Sequence, residues 1–140
     1  MQKSGMRVVM LVVCALCVTG AGVRVFADET AAITLKGGAI WSGRRADVTA
    51  VLTSTEKKGE YTVVYNFTWD GRNNTWQGEM KGSLEKGIMR GTGATPDGRR
   101  TFIFQARARR GVLVGKHYET TGGRTKLTGD IGLKRVKTTS

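Results

Sequence analysis

Cysteine, proline and histidine are nearly missing from this 140-residue chain, which holds two, one and one of them. Both cysteines, Cys14 and Cys17, fall within the first 27 residues. From residue 28 on there is no thiol, which excludes disulfides, thiolate nucleophiles and cysteine metal ligands there. Stability must then come from a packed core. The 140 residues less 27 leave 113, well above the roughly 40 below which a small domain usually needs a staple. The single histidine, His117, has no second histidine or cysteine with which to build a metal site, so no metal or cofactor is implied. The lone proline, Pro96, stands in Thr95-Pro96-Asp97-Gly98 and marks a turn. Nucleophile motifs are absent as well. Ser42, Ser54, Ser83 and Ser140 stand in no Gly-x-Ser-x-Gly context, and Gly91-Thr92-Gly93 is not followed by the Gly-Lys-Ser/Thr of a phosphate loop. The alternation described below puts the strand carboxylates Glu79, Glu119 and Asp130 on the wet face, and His117 with them. No catalytic residue is assigned, and the chain reads as a binding protein rather than an enzyme.

The N-terminal 27 residues have the three-part order of a secretory signal peptide. Lys3 and Arg7 precede an apolar run from Val8 to Val23, and Val25-Phe26-Ala27 offers a cleavage site before Asp28. Sixteen apolar residues are fewer than the roughly 18–20 of a membrane-spanning helix. Cys14 follows Val13, where lipid attachment wants a small residue. The expectation is a signal peptide over 1–27, removed near Ala27, and an exported domain over 28–140, periplasmic or secreted.

Helical periodicity is also lacking from Thr30 onward, and in its place the chain alternates. Tyr61, Val63, Tyr65, Phe67 and Trp69 share one face of a segment whose other face carries Thr62, Asn66 and Thr68. The next segment repeats this, with Trp76, Gly78, Met80, Gly82 and Leu84 on one side and Thr75, Gln77, Glu79, Lys81 and Ser83 on the other. Period two means strands with one buried and one wet face. Asp70-Gly71-Arg72-Asn73-Asn74 between them is a hairpin signal. Further turn marks at Lys57-Lys58-Gly59, Glu85-Lys86-Gly87, Arg110-Gly111 and Thr121-Gly122-Gly123 divide the chain into strands near 31–41, 46–55, 60–69, 74–83, 87–95, 100–109, 112–119 and 124–134. The fold predicted is all-β, one small antiparallel up-and-down barrel of about eight strands, with a β-sandwich as the alternative. Glycines inside strands, among them Gly78, Gly82, Gly91 and Gly93, are expected where large rings need room. A charged outer face argues against an outer-membrane barrel.

Acidic residues are scarce in the second half. Residues 28–85 hold seven Lys/Arg and eight Asp/Glu, whereas residues 86–140 hold thirteen and three, a net of +10. Arg99, Arg100, Arg107, Arg109, Arg110, Lys134 and Arg135 are therefore the candidate cationic face, and a field of that sign retains an anionic polymer or membrane surface. An inhibitor or accessory protein docking on an acidic protein partner would use the same face. A second possibility is a small apolar ligand inside the barrel, lined by Tyr61, Tyr65, Trp69, Trp76, Phe102 and Phe104. Gly38-Ala39-Ile40-Trp41 resembles the Gly-x-Trp of lipocalins with the spacing off by one. Thr75-Trp76-Gln77-Gly78 resembles a hairpin of avidin-type barrels over a few residues. Neither carries a ligand site across. Asn66-Phe67-Thr68 and Asn73-Asn74-Thr75 fit the glycosylation acceptor, with Asn73 expected in a turn.

Overall fold

Eight antiparallel strands in chain order close into a barrel: β1 (Ile33–Trp41), β2 (Arg44–Ser54), β3 (Glu60–Trp69), β4 (Arg72–Lys81), β5 (Lys86–Ala94), β6 (Thr101–Arg109), β7 (Val112–Thr121) and β8 (Arg124–Arg135). The structure, a computed structural model, describes residues 31–137. The proposed signal segment, with both cysteines, lies outside the described residues. Each strand pairs with the next, and β1 pairs with β8 from Leu35↔Arg135 to Trp41↔Gly129, which closes the wall and leaves no sheet edge.

Turn chemistry explains why the meander is so regular. Asp70 and Gly71 both have positive φ, 48° and 70°, the backbone of a two-residue reversal whose twist suits the flanking strands. The ladder consequently runs down to Trp69↔Arg72, and Asn73 sits in β4 opposite Thr68 rather than in a turn. Ser42-Gly43, Arg110-Gly111 and Gly122-Gly123 make three more reversals of this kind.

The interior is filled. Leu35, Leu52, Val63, Met80, Met89, Phe104 and Leu113 are fully buried and bind the inner faces of seven strands into one core. Each such side chain contributes on the order of 1.5–3 kcal/mol by leaving water. Large rings do pack over missing side chains, but on β5 rather than β4. Gly91 faces Phe104 and Gly93 faces Phe102 across the β5–β6 ladder. In both pairs the ring occupies the space a Cβ would take. Gly78 answers to a different need, because a Cβ there would strike the backbone of Thr92 on the neighbouring strand. Below Trp41, Tyr65, Phe67 and Trp76 only about 10 Å³ is left empty, less than or about the room one water needs.

Candidate functional site

Two surfaces stand out: a cup in one mouth of the barrel and a basic stretch of its outer wall. The cup lies at the end made by the β1–β2, β3–β4, β5–β6 and β7–β8 connections. Its volume is about 210 Å³, and Trp41, Phe67, Trp69, Asn74, Trp76, Arg100, His117, Glu119 and Thr128 line it. Three of these are all the tryptophans the chain has. Two of them, Trp41 and Trp76, join Phe67, Phe102 and His117 in a closed circuit of five rings. Neighbouring centroids are 5.1 Å apart for Trp41 and Phe67, 5.4 Å for Phe67 and Trp76, 4.9 Å for Trp76 and Phe102, 4.9 Å for Phe102 and His117, and 5.3 Å for His117 and Trp41. Two of the pairs, Trp41–Phe67 and Phe67–Trp76, meet edge to face, two are tilted, and His117 stacks on Phe102.

His117 and Glu119 belong to this site, which corrects the expectation that both face solvent. His117 is only 3% exposed and Glu119 half-buried. The sequence Val112-Leu113-Val114 leaves open which parity points inward, and the neighbouring strands decide it. Phe104, Ala106 and Ala108 of β6 point into the barrel, and they pair with His117, Gly115 and Leu113. Antiparallel partners share a face. Leu113, His117 and Glu119 therefore turn inward, while Val112 and Val114 go out. Glu79 and Asp130 remain on the outer wall as expected, so no two of the three candidate carboxylates share a cleft.

A bulge supplies the partner of His117. On β8 the register passes from Gly129, opposite His117, to Leu127, opposite Tyr118, and Thr128 is the extra residue. Its hydroxyl donates to the His117 carbonyl oxygen at 3.1 Å and lies 2.6 Å from Nδ1 of the ring. That hydroxyl has a single hydrogen, already given to the carbonyl, so Nδ1–H is the donor in the second contact and Nε2 carries the lone pair. Burial keeps the ring neutral, pushing its protonation down to about 4, with nearby Glu119 opposing and Arg100 adding to the shift. Nε2 has no hydrogen-bond partner among the described residues.

Charges at the rim are paired. Arg100 Nε donates to Glu119 Oε1 at 2.6 Å, and this bond holds the Glu119 carboxyl below its usual range. The same guanidinium lies 5.4 Å from the Trp76 ring centroid. Across the opening, Arg44 meets Asp70 at 2.5 Å and covers Trp69 at 4.7 Å. Trp41 Nε1 and Tyr65 Oη are buried without partners. Burial also pushes the Tyr65 hydroxyl well above its usual titration range.

Of the six residues expected to line a hollow barrel, only Trp69 and Trp76 reach the cup. Tyr65, Phe102 and Phe104 are core beneath it, and Tyr61 is half-buried toward the opposite end, beside Met80 and Ser54.

The outer wall runs across β5, β6, β7, β8 and β1. One cross-strand row reads Lys86, Arg109, Val112, Lys134, Lys36, and the next reads Ile88, Arg107, Val114, Gly132, Gly38. A third reads Arg90, Gln105, Lys116, Asp130, Ile40. Lys116 is paired with Asp130. Among the described residues, none of Lys36, Lys86, Arg90, Arg107, Arg109 and Lys134 has an ion-pair partner. Ile40, Ile88, Ile103, Val112 and Val114 are exposed among them, Val114 the most at 63%. Of the seven candidate cationic residues, Arg107, Arg109, Arg110, Lys134 and Arg135 gather on this wall and its adjoining end, where Arg110, Lys134 and Arg135 border one depression. Arg99 and Arg100 sit apart, Arg100 lining the cup and Arg99 beside Asp97 in the β5–β6 connection. Lys36, Lys86 and Arg90 complete the wall, and the contribution of Lys36 comes from the half of the chain with no basic excess.

Comparison of the chain with protein-family models, with curated proteins and with solved structures gives no match in any of the three.

Proposed function

We propose that this is an exported, non-catalytic binding protein that docks through its β5–β8–β1 wall on an anionic lipid surface. Export rests on the signal-like residues 1–27. The observation that carries the docking is the mixed character of the wall: six basic side chains without ion-pair partners, set among five exposed aliphatic ones. Near an anionic leaflet each Lys or Arg contributes on the order of 1 kcal/mol, so six are enough to hold a protein of this size. A purely polyanionic chain offers nothing to Ile88, Val112 and Val114, whereas the headgroup boundary of a membrane takes both kinds of side chain.

Flotation with vesicles tests this. Vesicles of phosphatidylglycerol mixed with phosphatidylcholine should carry the protein with them, and phosphatidylcholine alone should not. Binding should weaken as salt rises to physiological strength, where exposed charges are screened over about 8 Å. Arg107→Glu with Arg109→Glu should reduce it at least about tenfold, since the swap replaces two attractions by two repulsions. Equal binding to both vesicle types, or indifference to salt and to the double substitution, would overturn the proposal. Retention on heparin without vesicle binding would move the function to a soluble anionic polymer, and vesicle indifference with capture of an acidic protein would move it to a protein partner.

A further inference from the structure

We propose that the mouth cup is a binding site for a small neutral aromatic or heteroaromatic ring that carries an N–H or O–H donor, with the donor meeting Nε2 of His117. This site is separate from the wall and uses none of its residues.

Shape and lining select the ring. The barrel below is packed, so the space at the mouth is a bounded recess and not the top of a hollow calyx. At about 210 Å³ it falls short of the roughly 300–1,000 Å³ of pockets for drug-sized molecules, and it suits one ring or two fused rings. Trp41, Trp69, Trp76 and Phe67 converge on it from β1, β3 and β4 and offer both faces and edges for aromatic contact.

Neutrality follows from the rim. Both acids there already hold an arginine, Asp70 with Arg44 and Glu119 with Arg100, and the two guanidiniums lie over Trp69 and Trp76. The cup therefore has no net charge to satisfy. An anion entering it would have to pull Arg100 from Glu119, and a cation would meet two guanidiniums at the rim and no unpaired acid among the described lining residues.

His117 sets the polarity. The Thr128 bulge fixes the hydrogen on Nδ1 and leaves Nε2 as an acceptor. Nε2 is not among the buried polar atoms left without a partner, so it opens on the cup, where water can reach it. Here the free acceptor belongs to a residue that lines the cup. A ligand hydroxyl or ring N–H can take over the hydrogen bond of that water, and a hydrocarbon ring of the same size cannot.

The test is a probe series of phenol, toluene and benzoate titrated into the intact protein, followed through the three tryptophan indole N–H signals and the His117 ring signals in NMR. Phenol should shift these signals saturably. Toluene, the same shape without the donor, should bind about fivefold more weakly, the weight of one hydrogen bond, and benzoate should bind more weakly still. Absence of saturable shifts, toluene binding as tightly as phenol, or benzoate binding best would each overturn the proposal, and all three are read on the unaltered protein. In His117→Phe, checked for folding by its melting curve, phenol should lose its advantage over toluene; a retained advantage would also overturn it. Arg107→Glu with Arg109→Glu should leave phenol binding unchanged, so failure at the wall and failure at the cup are told apart.

Discussion

The ring of Phe104 occupies the space that a side chain at Gly91 would fill. The two residues face each other across the β5–β6 ladder, and both are buried. A glycine in a strand ordinarily weakens it, but here the missing Cβ lets a large ring lie inside a narrow barrel. Gly91→Ala should therefore destabilise the protein by about 1–3 kcal/mol, the usual range for overpacking a core. Phe104→Leu placed on top of it should recover part of that loss. The urea midpoints of the two variants measure both effects, and strict additivity would contradict the pairing.

Acid should weaken the fold through His117. Its protonation is held down to about 4 in the folded protein, chiefly by burial, against roughly 6.5 in an unfolded chain. Below about 6.5 the unfolded state therefore binds a proton that the folded state refuses, so stability falls as pH drops from about 6.5 to about 4 and then levels off. The expected loss is on the order of 3 kcal/mol. Glu119 adds to the fall below the ordinary carboxyl range, because Arg100 holds it ionised. Denaturant melts at pH 7, 5.5 and 4 measure the slope, and His117→Phe should flatten the part above pH 4.5.

Thr128→Val removes the acceptor of His117 Nδ1–H while keeping the shape. The orphaned donor should cost about 1–3 kcal/mol. With the hydroxyl gone, nothing holds the hydrogen on Nδ1, and the ring nitrogens in ¹⁵N NMR should report a mixture of tautomers where the parent protein shows one.

Tyr65→Phe should have the opposite sign. The Tyr65 hydroxyl is buried with no partner, so its removal returns a desolvation cost and leaves the Phe102 and Phe104 ring contacts in place. A rise in melting temperature of a few degrees is expected, about what 0.5–1 kcal/mol gives a domain of this length. A fall of that size would mean that the hydroxyl is paired.

The fold was readable because alternation and turn residues agree along the whole chain. Each of the eight expected strands lies within a few residues of an observed one, and β3 buries the face named for it. Where the expected bounds slipped, turn geometry is the reason. Five turn-forming residues, Asp70 to Asn74, collapse to a two-residue reversal because Arg72 to Asn74 pair as strand. The cup was far less legible. Its tryptophans come from three strands, and only the register shows that they meet. The parity of β7 could not be read from Val112-Leu113-Val114 alone, since three consecutive aliphatic residues fit either face. It is set by Phe104 and Ala106 next door, a tertiary fact, and with it went His117 and Glu119. The Thr128 bulge leaves no compositional mark. A basic wall was foreseeable from charge counts, but Lys36 was not, because it joins Lys134 only through closure of the barrel.

That closure also orders the folding process. Seven of the eight strand contacts are hairpins between neighbours in the chain, whereas β1 and β8 bring together residues about 90–100 positions apart. The meander can zip locally, but the last seam must wait for both ends. Until it closes, β1 and β8 are two bare edges able to pair with other molecules. The seam is thus the step at which the folding chain is most open to aggregation. It also joins the eighth strand to the first, so Gly129 to Arg135 decide whether the barrel closes at all.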